Sequence, residues 1–332
     1  MAEVTPLIRD ELLPPRGPGR RHLISIRDLT KEDVERLLAL ARTFSASLDR
    51  EVKKLPTLRG RTVVNVFYES STRTSSSFEL AAKRLSADVM SIKASGSAVD
   101  KGESLRDTAL TIGAYDPDVI VLRHPHIGAP QVIADATTAH VVNAGDGTHQ
   151  HPTQALLDLY TIDEELGGIA GLHVAIVGDV LHSRVARSDI QALVLMGARV
   201  TVIGPPPLIP RGIDAMGCEV SYDIETIRDA DVVYVLRMQK ERMLEGANYV
   251  PSLREYTARW GVTAERLRPG QKVMHPGPMN RGVEIDPVVA DAADALIERQ
   301  VRSGLVVRMA VLYDLLTHGP VEVKVAEIEE VA

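Results

Sequence analysis

Short runs rich in valine and isoleucine alternate with helical patterns along most of this 332-residue sequence. Near-continuous apolar runs of this kind are typical of parallel strands that are covered on both faces. The predicted strands are Val63–Tyr68, Val89–Ile92, Val119–Leu122, Val141–Val142, Val174–Val177, Val200–Ile203, Val220–Tyr222, Val232–Leu236 and Lys272–Met274. Because the chain is longer than one ordinary domain, the alternation predicts an α/β protein with two doubly wound parallel-sheet domains joined by helices.

Helical patterns mark the predicted boundaries between these units. One helix is predicted to begin after an N-cap at Thr30, and another runs from Thr153 to Leu166 and ends at Gly167, a residue type typical of helix C-caps. A last helix is predicted over Leu305–Leu316. The predicted organisation is a tail at 1–21, a first domain at 22–152, a linking helix at 153–168, a second domain at 169–304, a C-terminal helix at 305–318 that returns to the first domain, and a tail at 319–332.

Charge and cysteine content exclude several classes of protein. The formal net charge of −7 disfavours binding to nucleic acid or to an anionic membrane. The single cysteine, Cys218, permits no internal disulfide and is expected to be a buried thiol. No signal peptide or apolar run of roughly 18 residues is present, so we predict a cytoplasmic protein.

Polar residues cluster where the predicted strands end. Ligands bind beyond the carboxyl ends of strands in open parallel sheets. The clusters at these positions are Ser70–Ser75, Ser97 with Lys101, Arg123, His151 with Gln154, Arg184, Arg237 and His275–Pro278. The sequence therefore predicts a binding site at this edge, and its arginines indicate an anionic ligand.

The segment 69–75 precedes a helical pattern and carries hydroxyl groups together with one arginine. Free backbone N–H groups at a helix start, with hydroxyl donors and a guanidinium, can hold a phosphate group without a glycine-rich loop. The alternative is a simple N-cap cluster of serine and threonine. Arg73 in the first turn opposes the helix dipole, which favours a bound anion.

His151 precedes Pro152, a residue suited to the first position of a helix. A histidine there, near a positive helix end and arginines, should stay neutral and donate a hydrogen bond, although a capping role is the alternative. Arg123, Arg184 and Arg237 could each pair with a surface carboxylate, which is the common case. Three arginines at three strand ends are harder to explain in that way.

Several exact strings resemble the aspartate carbamoyltransferase catalytic chain over about residues 22–318. They are Ser-Thr-Arg-Thr at 71–74, Arg-His-Pro at 123–125, Asn-Ala-Gly-Asp-Gly at 143–147, His-Pro-Thr-Gln at 151–154, Arg-Met-Gln-Lys-Glu at 237–241 and His-Pro-Gly-Pro at 275–278. The resemblance implies the carbamoyltransferase fold, with a carbamoyl phosphate domain first and an aspartate domain second. It also implies a homotrimer with active sites shared between subunits, and no cofactor or metal.

The resemblance assigns a role to each matching residue. Residues implied in carbamoyl phosphate binding are Ser71, Thr72, Arg73, Thr74, Ser97, Arg123, His151, Gln154, Gly277 and Pro278. Those implied in aspartate binding are Lys101, Arg184, Arg237 and Gln239. Catalytic roles are implied for Arg73, Thr74, Lys101, Arg123 and His151, with Ser97 and Lys101 reaching into the neighbouring subunit's site.

Some positions depart from better-known members of the family. Ser75 stands where many relatives place a second arginine, and Gly277 where some carry leucine. Residues 279–284 look like the branch whose catalytic trimers are free or joined to dihydroorotase. This likeness argues against a nucleotide-binding regulatory chain and leaves two alternatives, a free trimer or a complex with dihydroorotase.

Three alternative functions follow from the same residues. An ornithine carbamoyltransferase shares the phosphate motif, but arginines at 184 and 237 suit an anionic acceptor rather than a cationic one. A nucleotide-dependent dehydrogenase would need Gly-x-Gly-x-x-Gly after a strand, which residues 178–183 do not provide. An inactive scaffold for a partner pyrimidine enzyme would not need Arg73, Lys101 and His151 together.

Overall fold

The computed structural model describes residues 22–93, 103–239, 242 and 249–317, and every structural statement below concerns these residues. The strands are β1 (Thr62–Phe67), β2 (Asp88–Lys93), β3 (Val119–His124), β4 (His140–Asp146), β5 (His173–Val177), β6 (Arg199–Ile203), β7 (Glu219–Ser221), β8 (Val232–Val235) and β9 (Lys272–Met274). Each predicted strand overlaps one of them, so the strand assignments are confirmed. Both predicted tails lie outside the described residues.

Strand β4 differs most from its prediction, because it is seven residues long where two were expected. Its added residues include Asn143 and Asp146, which are polar and buried. The Asn143 amide donates to the backbone oxygen of Ile24 and to the Asp146 carboxylate, both at 2.9 Å. These bonds satisfy the polar groups, so the strand continues through residues that an apolar pattern does not mark.

Two separate sheets contain these strands, and every pairing within them is parallel. The first sheet has the order β2-β1-β3-β4, and the second has the order β7-β6-β5-β8-β9. The chain reverses its direction of growth between β1 and β3, and again between β5 and β8. Ligands bind at such switch points in doubly wound sheets. The predicted fold class is confirmed.

Helices cover the sheets. They are α1 (Lys31–Ser47), α2 (Thr72–Arg84), α3 (Leu105–Gly113), α4 (Ala129–Ala136), α5 (Pro152–Leu166), α6 (Arg184–Leu195), α7 (Leu253–Trp260), α8 (Pro287–Ala290) and α9 (Ile297–Leu316). Thr30 caps α1 through a reciprocal bond pair with Asp33, and Gly167 ends α5 with φ +73°, as the sequence predicts. Among the helices described here, none combines the length and apolar character that crossing a bilayer requires.

The predicted start of the last helix was wrong. Helix α9 begins at Ile297, eight residues before Leu305, and packs against α1, α2 and α5 of the first half. Ser303 and Gly304 are weak helix formers that weaken the local pattern. Gly304 is tolerated there because its missing side chain makes room for Arg308, whose Nη1 would lie 2.5 Å from an added Cβ. Tertiary packing therefore overrides the local propensity.

Gly178, directly after β5, allows the ends of β5 and β8 to approach closely. Its φ is +124°, and an added Cβ would lie 2.6 Å from the backbone oxygen of Leu236. We expect Gly178→Ala to lower the free energy of unfolding by about 2–4 kcal/mol, because both the conformation and the backbone contact oppose a side chain. Denaturant unfolding measures this loss.

Gly212→Ala is the matched control for that measurement. Gly212 also has a positive φ, +76°, but nothing lies within 4 Å of its added Cβ. Alanine at this position should lower the free energy of unfolding by only about 1 kcal/mol, which is the cost of a left-handed backbone conformation. Equal losses in the two variants would contradict the contact between the strand ends.

Candidate active site

A pocket of about 670 Å³ lies where the carboxyl ends of the two sheets face each other. Arg123 of β3 and the segments that follow β1, β4, β5, β8 and β9 all contribute to it. The charged and polar residues that line it include Glu69, Ser71, Thr72, Arg73, Thr74, Ser77, Arg123, His151, Gln154, Arg184, Arg237, Gln239, Arg242, His275, Gln300 and Arg308. Six of the seven predicted polar clusters meet at this edge, and the seventh, Ser97 with Lys101, lies outside the described residues.

The start of α2 forms one wall of the pocket. Ser71 is the N-cap residue, but its side chain makes no capping hydrogen bond, so the simple capping alternative is wrong for this residue. The first backbone N–H groups of a helix have no intrahelical partner, and they carry the positive end of the helix dipole. This wall can therefore receive an anion.

Arg73 brings the two halves of the chain into contact. Its guanidinium carbon would lie 2.5 Å from a Cβ added to Gly277, which has φ +63°. Only glycine leaves room for the guanidinium at that position without a shift. The Ser-Thr-Arg-Thr string and the His-Pro-Gly-Pro string therefore meet, although some 200 residues separate them in the sequence.

Glu69 holds three arginines together at the centre of the pocket. Its carboxylate lies 2.6 Å from Nη2 of Arg184, 3.3 Å from Nε of Arg123 and 3.6 Å from Nη2 of Arg242. Arg123 is on β3, Arg184 is the first residue of α6, and Arg242 follows β8, so both halves of the chain contribute. Three cations around one carboxylate leave a surplus of two positive charges, which a second anion can neutralise.

Burial strengthens the attraction of this arginine cluster for an anion. The side chain of Arg184 is 4% exposed and that of Arg123 is 14% exposed. Burial, followed by the charge of Arg184, lowers the pKa of Arg123 to about 9. The guanidinium still carries its charge at neutral pH, but it lacks most of its hydration and so favours an incoming anion.

His151 is the N-cap residue of α5, and it lies in the pocket 4% exposed. Its side chain makes no capping bond, so the alternative capping role is wrong. Burial and the charges of Arg123 and Arg184 hold its pKa well below the usual range, which leaves the imidazole neutral at neutral pH. Its Nδ1 is buried and has no hydrogen-bond partner among the described residues.

The loop at 275–278 is fixed by buried polar groups. Nδ1 of His275 accepts a hydrogen bond from the backbone N–H of Gly277 at 2.8 Å. The proton of this neutral ring therefore lies on Nε2, which faces Glu284 at 3.3 Å. Burial lowers the pKa of His275, consistent with a neutral ring. The loop thus presents its backbone to the pocket in one conformation.

Arg237 and Gln239 follow β8 and face the pocket from the second half of the chain. The backbone N–H of Gln239 donates to the buried Asp179 at 3.1 Å. Asp179 also receives the backbone N–H and Nδ1 of His182 at 3.2 and 2.9 Å. One buried carboxylate therefore ties the loops after β5 and β8 together.

The pocket brings together most of the residues that the sequence predicts for the site. Those present are Ser71, Thr72, Arg73, Thr74, Arg123, His151, Gln154, Arg184, Arg237, Gln239, Gly277 and Pro278. Ser97 and Lys101 lie outside the described residues. No group of three or more His, Cys, Asp or Glu suited to a metal ion occurs in the described part of the chain.

Sequence reasoning missed three charged residues that line the pocket. Glu69 was quoted as part of a segment but given no role, although an acidic residue among predicted anion ligands was a usable signal. Arg242 directly follows the string at 237–241, so its position was also a signal. Arg308 lies inside α9, far from any strand end, and only the fold brings it to the pocket.

Two family models match the chain and together cover most of its length. Residues 21–164 match the aspartate/ornithine carbamoyltransferase carbamoyl-P binding domain, and residues 170–315 match the Asp/Orn binding domain of the same family. An aspartate carbamoyltransferase catalytic subunit from Pelotomaculum thermopropionicum is 54% identical over 90% of this chain and 97% of its own. One from Salinispora arenicola is 56% identical over 89% of this chain and 98% of its own.

Solved structures agree with this match. An aspartate transcarbamoylase from Trypanosoma cruzi, in complex with N-(phosphonacetyl)-L-aspartic acid, aligns with a TM-score of 0.82 and 33% identity over 92% of this chain and 99% of its own. The catalytic subunit from M. jannaschii aligns with a TM-score of 0.78 and 38% identity over 89% and 98%. With both halves matched in order and the pocket formed between them, the chain belongs to the aspartate/ornithine carbamoyltransferase family.

Proposed function

We propose that this protein transfers the carbamoyl group of carbamoyl phosphate to L-aspartate, giving N-carbamoyl-L-aspartate and phosphate. The observation that carries the proposal is the pocket itself, where a helix start and Arg73 face the buried cluster of Arg123, Arg184 and Arg242. Such a pocket can hold two anions side by side. Relatives at 54–56% identity bear the name of this activity.

Carbamoyl phosphate would bind at the start of α2. The phosphate would accept hydrogen bonds from the N–H groups and hydroxyls of residues 71–74 and from Arg73. The carbamoyl group would lie between Arg123, His151 and Gln154, with the backbone of Gly277 and Pro278 at its amino end. The T. cruzi enzyme has been crystallised with this substrate.

Aspartate would bind beside it, on the second half of the chain. Arg184, Arg237 and Gln239 would hold its two carboxylates, while Glu69 keeps Arg184 and Arg123 in place. Ornithine would place an ammonium group among these guanidinium groups, which is electrostatically unfavourable. The pocket therefore favours aspartate as the acceptor.

Positioning and charge stabilisation account for the chemistry. The aspartate amine attacks the carbamoyl carbon, a C–N bond forms, and negative charge builds on the carbonyl oxygen, where Arg123, His151 and Thr74 donate hydrogen bonds. The bond from carbon to the phosphate oxygen then breaks, and the proton from the amine leaves with phosphate. Holding two reactants in contact can lower a barrier by about 7–11 kcal/mol in favourable cases.

The proposal also includes the pathway, the location and the assembly of the protein. The reaction would be the committed step of de novo pyrimidine synthesis in the cytoplasm. The active form would be a homotrimer in which Ser97 and Lys101 of one subunit enter the site of the next, and dihydroorotase would be a possible partner. The domain boundaries remain those predicted, except that the last helix begins at Ile297.

An acceptor assay tests this function. Purified protein should form N-carbamoyl-L-aspartate from carbamoyl phosphate and aspartate, and ornithine should give no product at the same concentration. Molecular mass measured alongside should correspond to three chains. A folded trimer that forms no product would support the scaffold alternative, and product from ornithine would overturn the choice of acceptor.

Mixing two inactive variants tests whether sites are shared. Lys101→Ala and Arg73→Ala should each be nearly inactive, but a mixture of exchanged trimers should regain activity. Recovery is expected because a shared site can pair an intact Lys101 with an intact Arg73. If labelled subunits demonstrably exchange and activity stays absent, the sites are not shared in this way.

A further inference from the structure

Arg187 on α6 is a half-buried cation that lies outside the pocket lining, and the proposed reaction uses none of its atoms. Burial lowers the pKa of its guanidinium, against the favourable charge of Asp179. As the fourth residue of α6 it also lies in the first turn, where the helix dipole disfavours a cation. A charged group in such a place is unfavourable unless hydrogen bonds compensate it, so the arrangement calls for a role.

The guanidinium of Arg187 joins the two halves of the chain. Its Nη1 donates to the backbone oxygen of Thr148 at 2.7 Å and to that of Leu181 at 3.2 Å, and its Nη2 donates to the same Leu181 oxygen at 3.2 Å. A longer bond of 3.4 Å runs from Nη1 to the backbone oxygen of Ser183. Thr148 follows β4 in the first half, whereas Leu181 follows β5 in the second. One planar group with donors on several sides therefore holds two distant loops against each other.

Both loops depend on Arg187 for these hydrogen bonds. Among the residues that the structure describes, no backbone N–H donates to the carbonyl oxygen of Thr148 or of Leu181. Loss of the guanidinium would thus remove the protein donor from both carbonyl groups at once. Hydrogen bonds from a charged donor contribute more than neutral ones, so this loss should affect the position of both loops.

Further along the same helix, neutral side chains continue the junction. The Ser188 hydroxyl accepts a hydrogen bond from the backbone N–H of His151 and donates to Oε1 of Gln150, both at 2.8 Å. The Gln150 amide donates to Gln191 at 3.1 Å. The segment 147–151 therefore lies along α6, and Arg187 supplies a charge-assisted bond beside these neutral ones.

The other charged contacts between the halves lie inside the pocket. Glu69 pairs there with Arg184 and Arg242, and all three residues line the cavity. A bound anion competes for the same guanidinium groups, so these pairs change when a ligand enters. The bridge from Arg187 is outside the cavity, so an incoming anion does not compete for it.

We propose that Arg187 is a positioning residue that sets how the two halves of the pocket face each other, by holding the loops at Thr148 and Leu181 together. The inference rests on the proposed function, which places one reactant on each half. Binding of a ligand that spans both halves should then depend on Arg187. Binding of a ligand that occupies only the first half should not.

The affinities of two stable analogues separate these cases without relying on turnover. N-(phosphonacetyl)-L-aspartic acid joins both reactant parts in one molecule, whereas phosphonoacetamide represents only the carbamoyl phosphate part. In Arg187→Met, calorimetry should give about 10-fold weaker binding of the spanning analogue, because its two ends no longer meet well-aligned partners. Phosphonoacetamide should bind as it does to the unchanged protein. Equal losses for the two analogues, or no loss for either, would contradict the inference.

Arg187→Lys separates the bridge from the charge. Lysine keeps the positive charge, but its ammonium group is a point charge on a shorter stem and lacks the planar fork that reaches both loops. The spanning analogue should therefore still bind several-fold more weakly than to the unchanged protein. Full affinity with lysine would show that only the charge matters. If Arg187→Met does not fold, Arg187→Lys carries the same comparison of the two analogues.

Arg266→Met is the matched control. Arg266 is also partly buried, and it donates to the backbone oxygens of Gly261 at 2.5 Å and Ala258 at 2.8 Å. Both of these acceptors belong to the second half, so this arginine joins no loops across the junction. Its loss should leave the affinity for both analogues unchanged. A loss of the spanning affinity equal to that in Arg187→Met would mean that general weakening of the second half explains both results.

A double variant tests whether Arg187 acts only through its neighbour Arg184. If Arg187 aligns the whole second half, adding Arg187→Met to Arg184→Ala should weaken the spanning analogue further, because Arg237 and Gln239 also depend on that alignment. Residues that act solely through one another are not additive. The absence of any further loss would overturn the bridge and reduce Arg187 to a support for Arg184.

Failure of this inference is distinguishable from failure of the proposed function. If the unchanged protein binds neither analogue and forms no N-carbamoyl-L-aspartate, the proposed function fails and the inference fails with it. If the unchanged protein is active and binds both, but the Arg187 variants keep the full affinity for the spanning analogue, only the inference fails.

Discussion

Replacing Arg73 with alanine is expected to lower kcat at least about 100-fold, the usual scale for loss of one charge-stabilising donor. Arg73 lies at the start of α2, where it reaches the backbone of Gly277 from the other half of the chain. Its charge would stabilise the departing phosphate, whose negative charge grows as the bond to carbon breaks. Steady-state turnover at saturating carbamoyl phosphate and aspartate measures the effect.

Lys83→Ala is the control for that experiment. Lys83 is a cation in the last turn of the same helix, is 58% exposed and pairs with Glu79 at 2.6 Å. It is remote from the pocket lining, so turnover should not change. Normal turnover in Arg73→Ala, or an equal loss in both variants, would refute a specific role for Arg73.

Arg184→Ala is expected to lower kcat/KM for aspartate by about 100-fold, because a buried guanidinium that would bind a carboxylate is lost. Arg184 is 4% exposed and occupies the first position of α6, next to the Glu69 carboxylate. Most of the loss should appear as a higher KM for aspartate. The KM for carbamoyl phosphate should change little, since Arg184 is not among the proposed ligands of that substrate.

Arg211→Ala serves as the control for Arg184→Ala. Arg211 lies in the same half of the chain but is exposed and outside the pocket lining. Its loss should leave both KM values unchanged. If Arg184→Ala raised the two KM values equally, we would conclude that the arginine holds the pocket together and does not select aspartate.

Local sequence patterns predicted the elements because they depend on neighbouring residues. The valine-rich runs located the buried strands among the described residues, since a strand buried on both faces must be apolar along most of its length. Thr30 with Asp33 marked one helix start through hydrogen bonds that span only a few residues, and Pro152 marked another through its fixed backbone angle. Long-range packing decided where α9 begins, at Ile297, and where β4 ends. In both cases the predicted element was shorter than the observed one.

Some features of the candidate site were likewise visible in the sequence, whereas its long-range contacts were not. Hydroxyl, arginine and histidine clusters at strand ends were visible because parallel strands gather their carboxyl ends at one edge. The sequence could not show that Glu69 binds Arg123, Arg184 and Arg242 at once, because these contacts join four segments that are far apart in the chain. It likewise gave no sign that Gly277 makes room for Arg73.

By itself, the sequence determined the α/β class, the order of the elements and the chemical character of the site, since each depends on short-range pattern or on exact strings. Only the tertiary structure decided which charges neutralise one another and which distant residues line the pocket. Those properties depend on distances between residues far apart in the chain, such as Glu69, Arg123 and Arg184. Electrostatic energy and desolvation act through space, so a linear pattern does not encode them directly.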